Sequence, residues 1–196
     1  IIKMNTLIRR GFFDLGKTEL FTHKTVLHFN KSPIIAYNTV ADMNSYPSFV
    51  PWVTECRVSQ KSATSAEANM TIGFPPITQT YLSKVTLAMP SKIVSVSNKN
   101  SVFDVLESIW EFYPEKSELT GSTDDHVKLT KCETHYSVKF RFSNIMYQNL
   151  STLVFQKVCH ETANAFTKKI NAVNGNIECL YDKKNQKFLT EGHIGI

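Results

Sequence analysis

Histidines and cysteines are the side chains of this 196-residue chain most capable of metal or nucleophile chemistry, and their spacing offers neither. Cys56, Cys132, Cys159 and Cys179 form no Cys-x-x-Cys pair, and no histidine stands at a ligand spacing from them. No metal site is expected from that pattern. It is not the framework of a small disulfide-stapled secreted domain either, so four free thiols in a reducing compartment are expected. The six histidines, His23, His28, His126, His135, His160 and His193, are scattered, and His135 and His160 fall on predicted wet faces. Asp124-Asp125 are adjacent carboxylates inside a predicted turn, where turn chemistry accounts for them more simply than acid–base catalysis. The sequence has no nucleophile elbow, HExxH helix, EF-hand loop or glycine-rich phosphate loop, and its seven glycines supply few phosphate cradles. No catalytic residue and no catalytic cofactor is assigned.

Aromatic residues are the more suggestive class, with thirteen Phe, seven Tyr and two Trp. Taken singly, each is explained by burial in a core. Taken together, so many rings on one face can enclose more space than they fill. The elements that would carry them follow from periodicity.

Thr18 to Asn30 is rich in β-branched and aromatic residues and predicts a first strand. Ser32-Pro33 then starts a helix, with Ser32 as N-cap and Pro33 in the first turn. Tyr46-Pro47 breaks it, and a second short turn is predicted through Ser48, Phe49 and Val50. Alternation predicts an antiparallel run. It is seen at Ala66, Ala68, Met70, Ile72 and Phe74, and again at Tyr81, Ser83, Val85 and Leu87. Leu106, Trp110 and Phe112 share a face with Asp104 and Ser108. The clearest case is Tyr136, Val138, Phe140 and Phe142, against Glu133, His135, Ser137, Lys139 and Arg141. Asn98 to Asn100 and Thr120 to Asp125 read as turns.

A long amphipathic helix is predicted over about Ile145 to Val173, with Met146, Leu150, Val154, Val158, Thr162, Phe166 and Ile170 in one stripe and Gly175 beyond its end. The polar stretch 176–196 is expected to be a loose tail with one strand-like piece at Ile177 to Tyr181.

The expected fold is α+β, a helix-grip: a curved antiparallel sheet of about six to seven strands, two short helices after the first strand, and one long C-terminal helix packed on the sheet. One domain, 18–175, is expected between a basic arm, 1–17, and the tail. Sheet and helix would leave a concave space. Its expected lining is Phe49, Pro51 and Trp52 from the loop, with Met70, Ile72 and Phe74 from one strand. Tyr81, Val85 and Leu87 join from the next, followed by Leu106, Trp110 and Phe112. Val138, Phe140 and Phe142 come from the last strand, and Leu150, Val154, Val158 and Phe166 from the helix. Ser83, Tyr81 or Ser108 could offer a hydrogen bond.

The net charge of +5 suits anionic lipid or RNA, or simply a solvated basic surface. Lys3, Arg9, Arg10 and Lys17 against Asp14 alone read either as the end of a mitochondrial transit peptide or as a frayed basic arm. Phe49-Val50-Pro51-Trp52 and Gly73-Phe74-Pro75-Pro76 read either as apolar loops that gate a pocket or enter a bilayer, or as stiff proline turns. No run approaches the roughly 20 apolar residues that cross a bilayer.

Tyr37-Asn38-Thr39-Val40-Ala41-Asp42, then Tyr46 to Trp52, then Ile72-Gly73-Phe74, resemble the coenzyme Q-binding protein family of the START/polyketide-cyclase-like superfamily. Leu106, Trp110, Phe112 and Pro114, then Val138, Phe140 and Phe142, and Val154, Phe155 and Ala165-Phe166 extend the resemblance over about Leu20 to Val173. One departure is Val53, where cysteine is frequent in the family. The resemblance implies ubiquinone or a biosynthetic intermediate bound without catalysis. It implies a peripheral place on the matrix side of the mitochondrial inner membrane, coenzyme Q biosynthetic proteins as partners, and no nucleic acid. It would serve respiration and quinone biosynthesis. An isoprenoid tail, at ~0.8 kcal/mol per buried CH₂, calls for an extended greasy channel. The alternatives are a polyketide-cyclase-like enzyme, or an interaction module like the ribosome-associated relatives.

Overall fold

A computed structural model describes residues 18–74, 77–97, 99–144 and 151–189. β1, Leu20–Phe29, is followed by helix α1, Pro33–Ala41, and a 3-10 turn, Met43–Ser48. Then come β2, Val53–Lys61, β3, Ser65–Phe74, β4, Ile77–Ala88, β5, Lys92–Ser97, and β6, Phe103–Pro114. A short helix α2, Lys116–Thr120, precedes β7, His126–Leu129, and β8, Cys132–Phe142. Helix α3, Ser151–Asn171, β9, Cys179–Asp182, and β10, Lys187–Phe188, complete the described chain.

Seven strands form one antiparallel sheet in the order β1-β8-β6-β5-β4-β3-β2. The helix-grip expectation holds: the long helix lies on the sheet's dry face. β8 alternates strictly, burying Cys132, Thr134, Tyr136, Val138, Phe140 and Phe142, because a period of two sends alternate side chains to the same face. α3 answers with Cys159, Ala163, Phe166 and Ile170, all buried and all on one stripe.

Local chemistry sets the first connection. Pro33 opens α1 where its missing N–H costs nothing. Ser32 holds the N-cap position with extended backbone, but its hydroxyl makes no capping bond. The Ser32 N–H instead donates to Asn176 Oδ1 at 3.0 Å, and Asn176 Nδ2 donates to the Thr130 carbonyl at 3.1 Å. The segment after α3 thus ties α1 to the strands. The Tyr46 hydroxyl donates to the Val40 carbonyl, fastening the 3-10 turn under α1. The second helical piece therefore runs over Met43–Ser48, earlier than Ser48 to Val50, with Pro47 inside it.

Residues 177–189 are more ordered than a loose tail. β9 pairs with both β7 and β10 in a second, three-stranded sheet. Val127, Leu129 and Cys179 pack there against Ile34 of α1. β2, β5 and β7 were not marked individually by alternation, and His126–Leu129 follows directly on the predicted turn. Residues 145–150, at the expected start of the long helix, lie outside the described residues, as do 1–17.

His23 on β1 is buried at 6% exposure, with its ring edge-on to Phe155 of α3. Burial, with a smaller contribution from nearby His160, holds its pKa below the usual imidazole value. The folded state therefore resists protonation that the unfolded chain accepts. The stability His23 contributes is complete above the unfolded value near 6.5 and is lost as pH falls below it. Thermal unfolding measured from pH 8 to pH 5 should show the wild type losing stability on the acid side, and His23→Met should flatten that slope.

Candidate functional site

Between the sheet and α3 lies a cavity of about 260 Å³. Its floor is the dry face of the central strands. β4 supplies Tyr81, Ser83 and Val85, β5 supplies Ile93 and Ser95, and β6 supplies Phe103, Leu106, Ser108 and Trp110. Tyr136, Val138, Phe140 and Phe142 of β8 continue the floor. The roof is Phe155, Val158, Cys159, Thr162 and Phe166 of α3. Val40, Met43, Tyr46 and the run Val50 to Val53 close one end, with Met70 and Ile72 of β3 beside them.

Most of the predicted lining is brought together here. Pro51, Trp52, Met70, Ile72, Tyr81, Val85, Leu106, Trp110, Val138, Phe140, Phe142, Val158 and Phe166 all border the space. Three do not. Phe112 is buried at 1%, against Tyr37 of α1 with ring centroids 5.8 Å apart, so α1 covers that end of the sheet. Leu87, two positions beyond Val85, is likewise core at 3%. Phe49 lies behind Phe166, 5.1 Å away edge-to-face, and faces a surface groove shared with Pro51, Lys168 and Lys169. The side chains of Phe74 and Val154 and the whole of Leu150 lie outside the described residues.

Asp104, expected on the same face as Leu106, leaves the wall. The register shift between Phe103 and Val105 breaks the alternation, turning Phe103 inward, and the Asp104 carboxylate pairs with Lys99 at 3.0 Å. Sequence reasoning also missed Tyr136, Phe103, Phe155 and Ser95. Tyr136 lies on the same alternating face as Val138, Phe140 and Phe142, whereas Phe103 comes inward only through the register shift and Phe155 stands next to the predicted helix stripe rather than in it. Ser95 sits in a strand whose alternation runs backwards: Ser95 and Ser97 point inward while Val96 is 43% exposed.

Ring packing stiffens the wall. Trp110 stacks on Tyr136 at 4.1 Å and meets Phe166 at 4.8 Å. Phe140 meets Phe155 at 4.2 Å. Burial drives the phenol pKa values of Tyr46, Tyr81 and Tyr136 well above normal, with smaller contributions from neighbouring thiol and phenol groups and, at Tyr46, from the Asp42 carboxylate, so all three stay protonated. Burial likewise pushes the Cys159 thiol up to about 12, which leaves it a poor nucleophile. The Tyr81 hydroxyl donates only to the Met70 sulfur, at 3.2 Å, a weak acceptor that a ligand oxygen can replace.

Outside the cavity, His28, Glu115 and Glu133 bring one ligand atom each within 4.8 Å of one another. They also take part in two contacts of 2.8 and 2.7 Å, His28 to Glu115 and His135 to Glu133. All four cysteines are buried, and Cys132 and Cys179 lie near enough to influence each other.

The family profile described as polyketide cyclase / dehydrase and lipid transport matches residues 31–167. The chain belongs to that family. Within it, the mitochondrial coenzyme Q-binding protein COQ10 of Drosophila melanogaster is 26% identical over 159 residues, covering 81% of this chain and 61% of that protein. The COQ10 homolog B of Xenopus laevis is 28% identical over 142 residues, 72% of this chain and 54% of that protein. The chain thus spans a little over half the length of these two relatives. The ribosome association toxin RatA of Rickettsia prowazekii is 20% identical over 78% of this chain and 97% of its own. Among solved structures, the ZhuI aromatase/cyclase of a Streptomyces species superposes with a TM-score of 0.64 at 9% identity, over 81% of this chain and all of that one. The Caulobacter crescentus protein CC1736 superposes at 0.58 with 18% identity, over 76% of this chain and 95% of its own. These structural likenesses establish the helix-grip fold of this polyketide cyclase / dehydrase and lipid transport family member.

Phe166 ties the roof to Trp110 of the floor and to Tyr46 and Phe49 at the cavity's end, whereas Val158 borders open space. Phe166→Ala should therefore cost about 3–5 kcal/mol in urea unfolding. Val158→Ala should cost about 1 kcal/mol or less, because one side of that side chain has few partners to lose.

Proposed function

We propose that this chain is a non-catalytic binding protein for ubiquinone or a quinone intermediate, held in the cavity between α3 and the sheet. The carrying observation is the wall itself. It is built of rings, aliphatic groups and neutral hydroxyls, with no carboxylate, imidazole or ammonium among its described residues. A cyclase or dehydrase needs a group that exchanges a proton near neutral pH. The three wall phenols stay protonated far above that range, and Asp104 is engaged by Lys99 outside the wall. What remains suits binding: apolar contact for a lipid, and a few polar atoms to orient it. The names of the Drosophila and Xenopus relatives support a quinone as the ligand.

The same names support a mitochondrial site of action. We read the protein as peripheral on the matrix side of the inner membrane, serving respiration and coenzyme Q biosynthesis, with biosynthetic proteins as its partners. No described helix is long and apolar enough to cross a membrane. The groove of Phe49 and Pro51 is lined also by Lys168, Lys169 and the single carboxylate of Glu161, so apolar groups and a net positive charge stand side by side, as contact with an anionic bilayer surface requires.

Two experiments test this reading. Organic extraction of the purified protein followed by mass spectrometry should recover a quinone, and the emptied protein should take up ubiquinone-2 at one equivalent. Recovery of none, together with no uptake, would falsify the assignment. Co-sedimentation with anionic vesicles should weaken as salt rises and should drop in K168E/K169E. Equal binding to neutral vesicles would remove the electrostatic part of that contact, and no binding to either would remove the membrane role.

A further inference from the structure

The sheet has a second face, turned away from the cavity, and near one end of β1 that face gathers metal-ligating side chains. His28 of β1 and Glu133 and His135 of β8 point outward, each between two buried neighbours. Register sets His28 directly opposite Glu133, and Tyr113 of β6 opposite Glu133 on its other side. β6 ends at Pro114, opposite Cys132, and Glu115 follows with extended backbone before α2 begins. Positions 28, 115 and 133 are far apart along the chain, so no ligand spacing shows in the sequence. Strand pairing alone brings them together.

Their donor atoms converge. One from each of His28, Glu115 and Glu133 lies within 4.8 Å of the other two. His28 Nδ1 stands 2.8 Å from Glu115 Oε2, and His135 Nε2 stands 2.7 Å from Glu133 Oε1. Both carboxylate side chains are largely buried, at 20% and 17% exposure. Among the described residues, neither forms an ion pair with a lysine or arginine. Carboxylates held this close and partly out of water repel each other. A neutral imidazole brings no charge to offset that repulsion, whereas a divalent cation between them does.

The distances and the donor types fit such an ion. Zn–N and Zn–O bonds of about 2.0–2.2 Å put neighbouring donors of a tetrahedral ion about 3.3–3.6 Å apart. Rotation of the two glutamate side chains can close the remaining gap of about 1 Å with the strands unmoved. One imidazole and two carboxylates, with no thiolate, form a set for zinc, manganese or iron(II), softer than the all-oxygen cages of calcium and magnesium. His135 supplies the support a ligating carboxylate needs, since it contacts Glu133 and is itself held by the Tyr113 ring, with centroids 4.8 Å apart.

We propose that His28, Glu115 and Glu133 form a surface site for a divalent transition-metal ion, with water completing its coordination and His135 positioning Glu133. Nδ1 of His28 binds through its lone pair, with the ring proton on Nε2. The ion links β1 to β8 and to the connection between β6 and α2. β1 is an edge strand that pairs with β8 alone, so the ion adds a second tie to a strand held on one side only. The site lies on the far face of the sheet and does not depend on what fills the cavity.

The test uses the full chain, stripped with EDTA and returned to chelator-free buffer at pH 7.5. Calorimetric titration with Zn²⁺ should show one equivalent bound, with a dissociation constant of about 10 µM or tighter. A roughly hundredfold excess of Ca²⁺ or Mg²⁺ should not displace it. Zn²⁺ should raise the melting temperature of the wild type and leave that of H28A unchanged. H28A and E115Q, altered on two separate elements, should each lose the bound equivalent, while H160A, which removes an exposed imidazole on α3, should keep it. H135F should weaken binding by about 10- to 100-fold, and H135Q, which keeps a donor toward Glu133, should recover part of the loss. No Zn²⁺ bound by the wild type, displacement by Ca²⁺ or Mg²⁺, or full binding by H28A and E115Q overturns the site. Unchanged affinity in H135F overturns the positioning role of His135.

Discussion

A sheet wider than the helix that must cover it is the constraint from which the rest of this structure follows. Seven strands at about 4.8 Å spacing span roughly 29 Å, while a helix with its side chains is about 10–12 Å across. α3 cannot bury the whole dry face. The chain covers the shortfall in pieces, with α1 over the Phe112 end and the 3-10 turn, through its Tyr46, against Phe166. The cavity is the space left between α3 and the floor it does roof. It results from geometry, and ring packing around its rim keeps it from closing: Trp110, Tyr136 and Phe166 are braced on one another and cannot fall inward singly.

Polarity within that space is arranged rather than excluded. A buried hydroxyl costs about 1–3 kcal/mol when it has no partner. Ser83 and Ser95 satisfy each other, Tyr46 is satisfied by the Val40 carbonyl, and Tyr81 holds only the Met70 sulfur. The floor thus keeps hydroxyl groups whose present bonds are local and exchangeable. The charged groups nearby face elsewhere, as Asp104 does through its register shift.

The fold was legible where period and burial agree. β8 reads as a half-buried strand because every second residue is apolar, and the α3 stripe from Val158 to Ile170 reads as helical for the same reason. Legibility failed where function or long-range pairing breaks the pattern. β5 reverses its alternation to place serines inward, so a search for apolar alternation passes over both the strand and Ser95. β7 and β9 pair across some fifty residues of chain, Leu129 with Cys179 for example, and each is only four residues long, so the alternation of His126 to Leu129 is too short to stand out. Phe112 and Leu87 show the opposite error. Sequence places them on the correct face but cannot say which part of that face α1 covers.

An unfilled space inside a folded chain has a consequence for how long the molecule lasts. Any molecule that fills it and has no affinity for the unfolded chain stabilises the fold by mass action, by about 2.7 kcal/mol at a hundred times its dissociation constant. Empty copies then unfold more often, and in a cell such openings are what proteases sample. The abundance of a protein with such a cavity follows the supply of whatever fills it, a form of stock control needing no separate sensor.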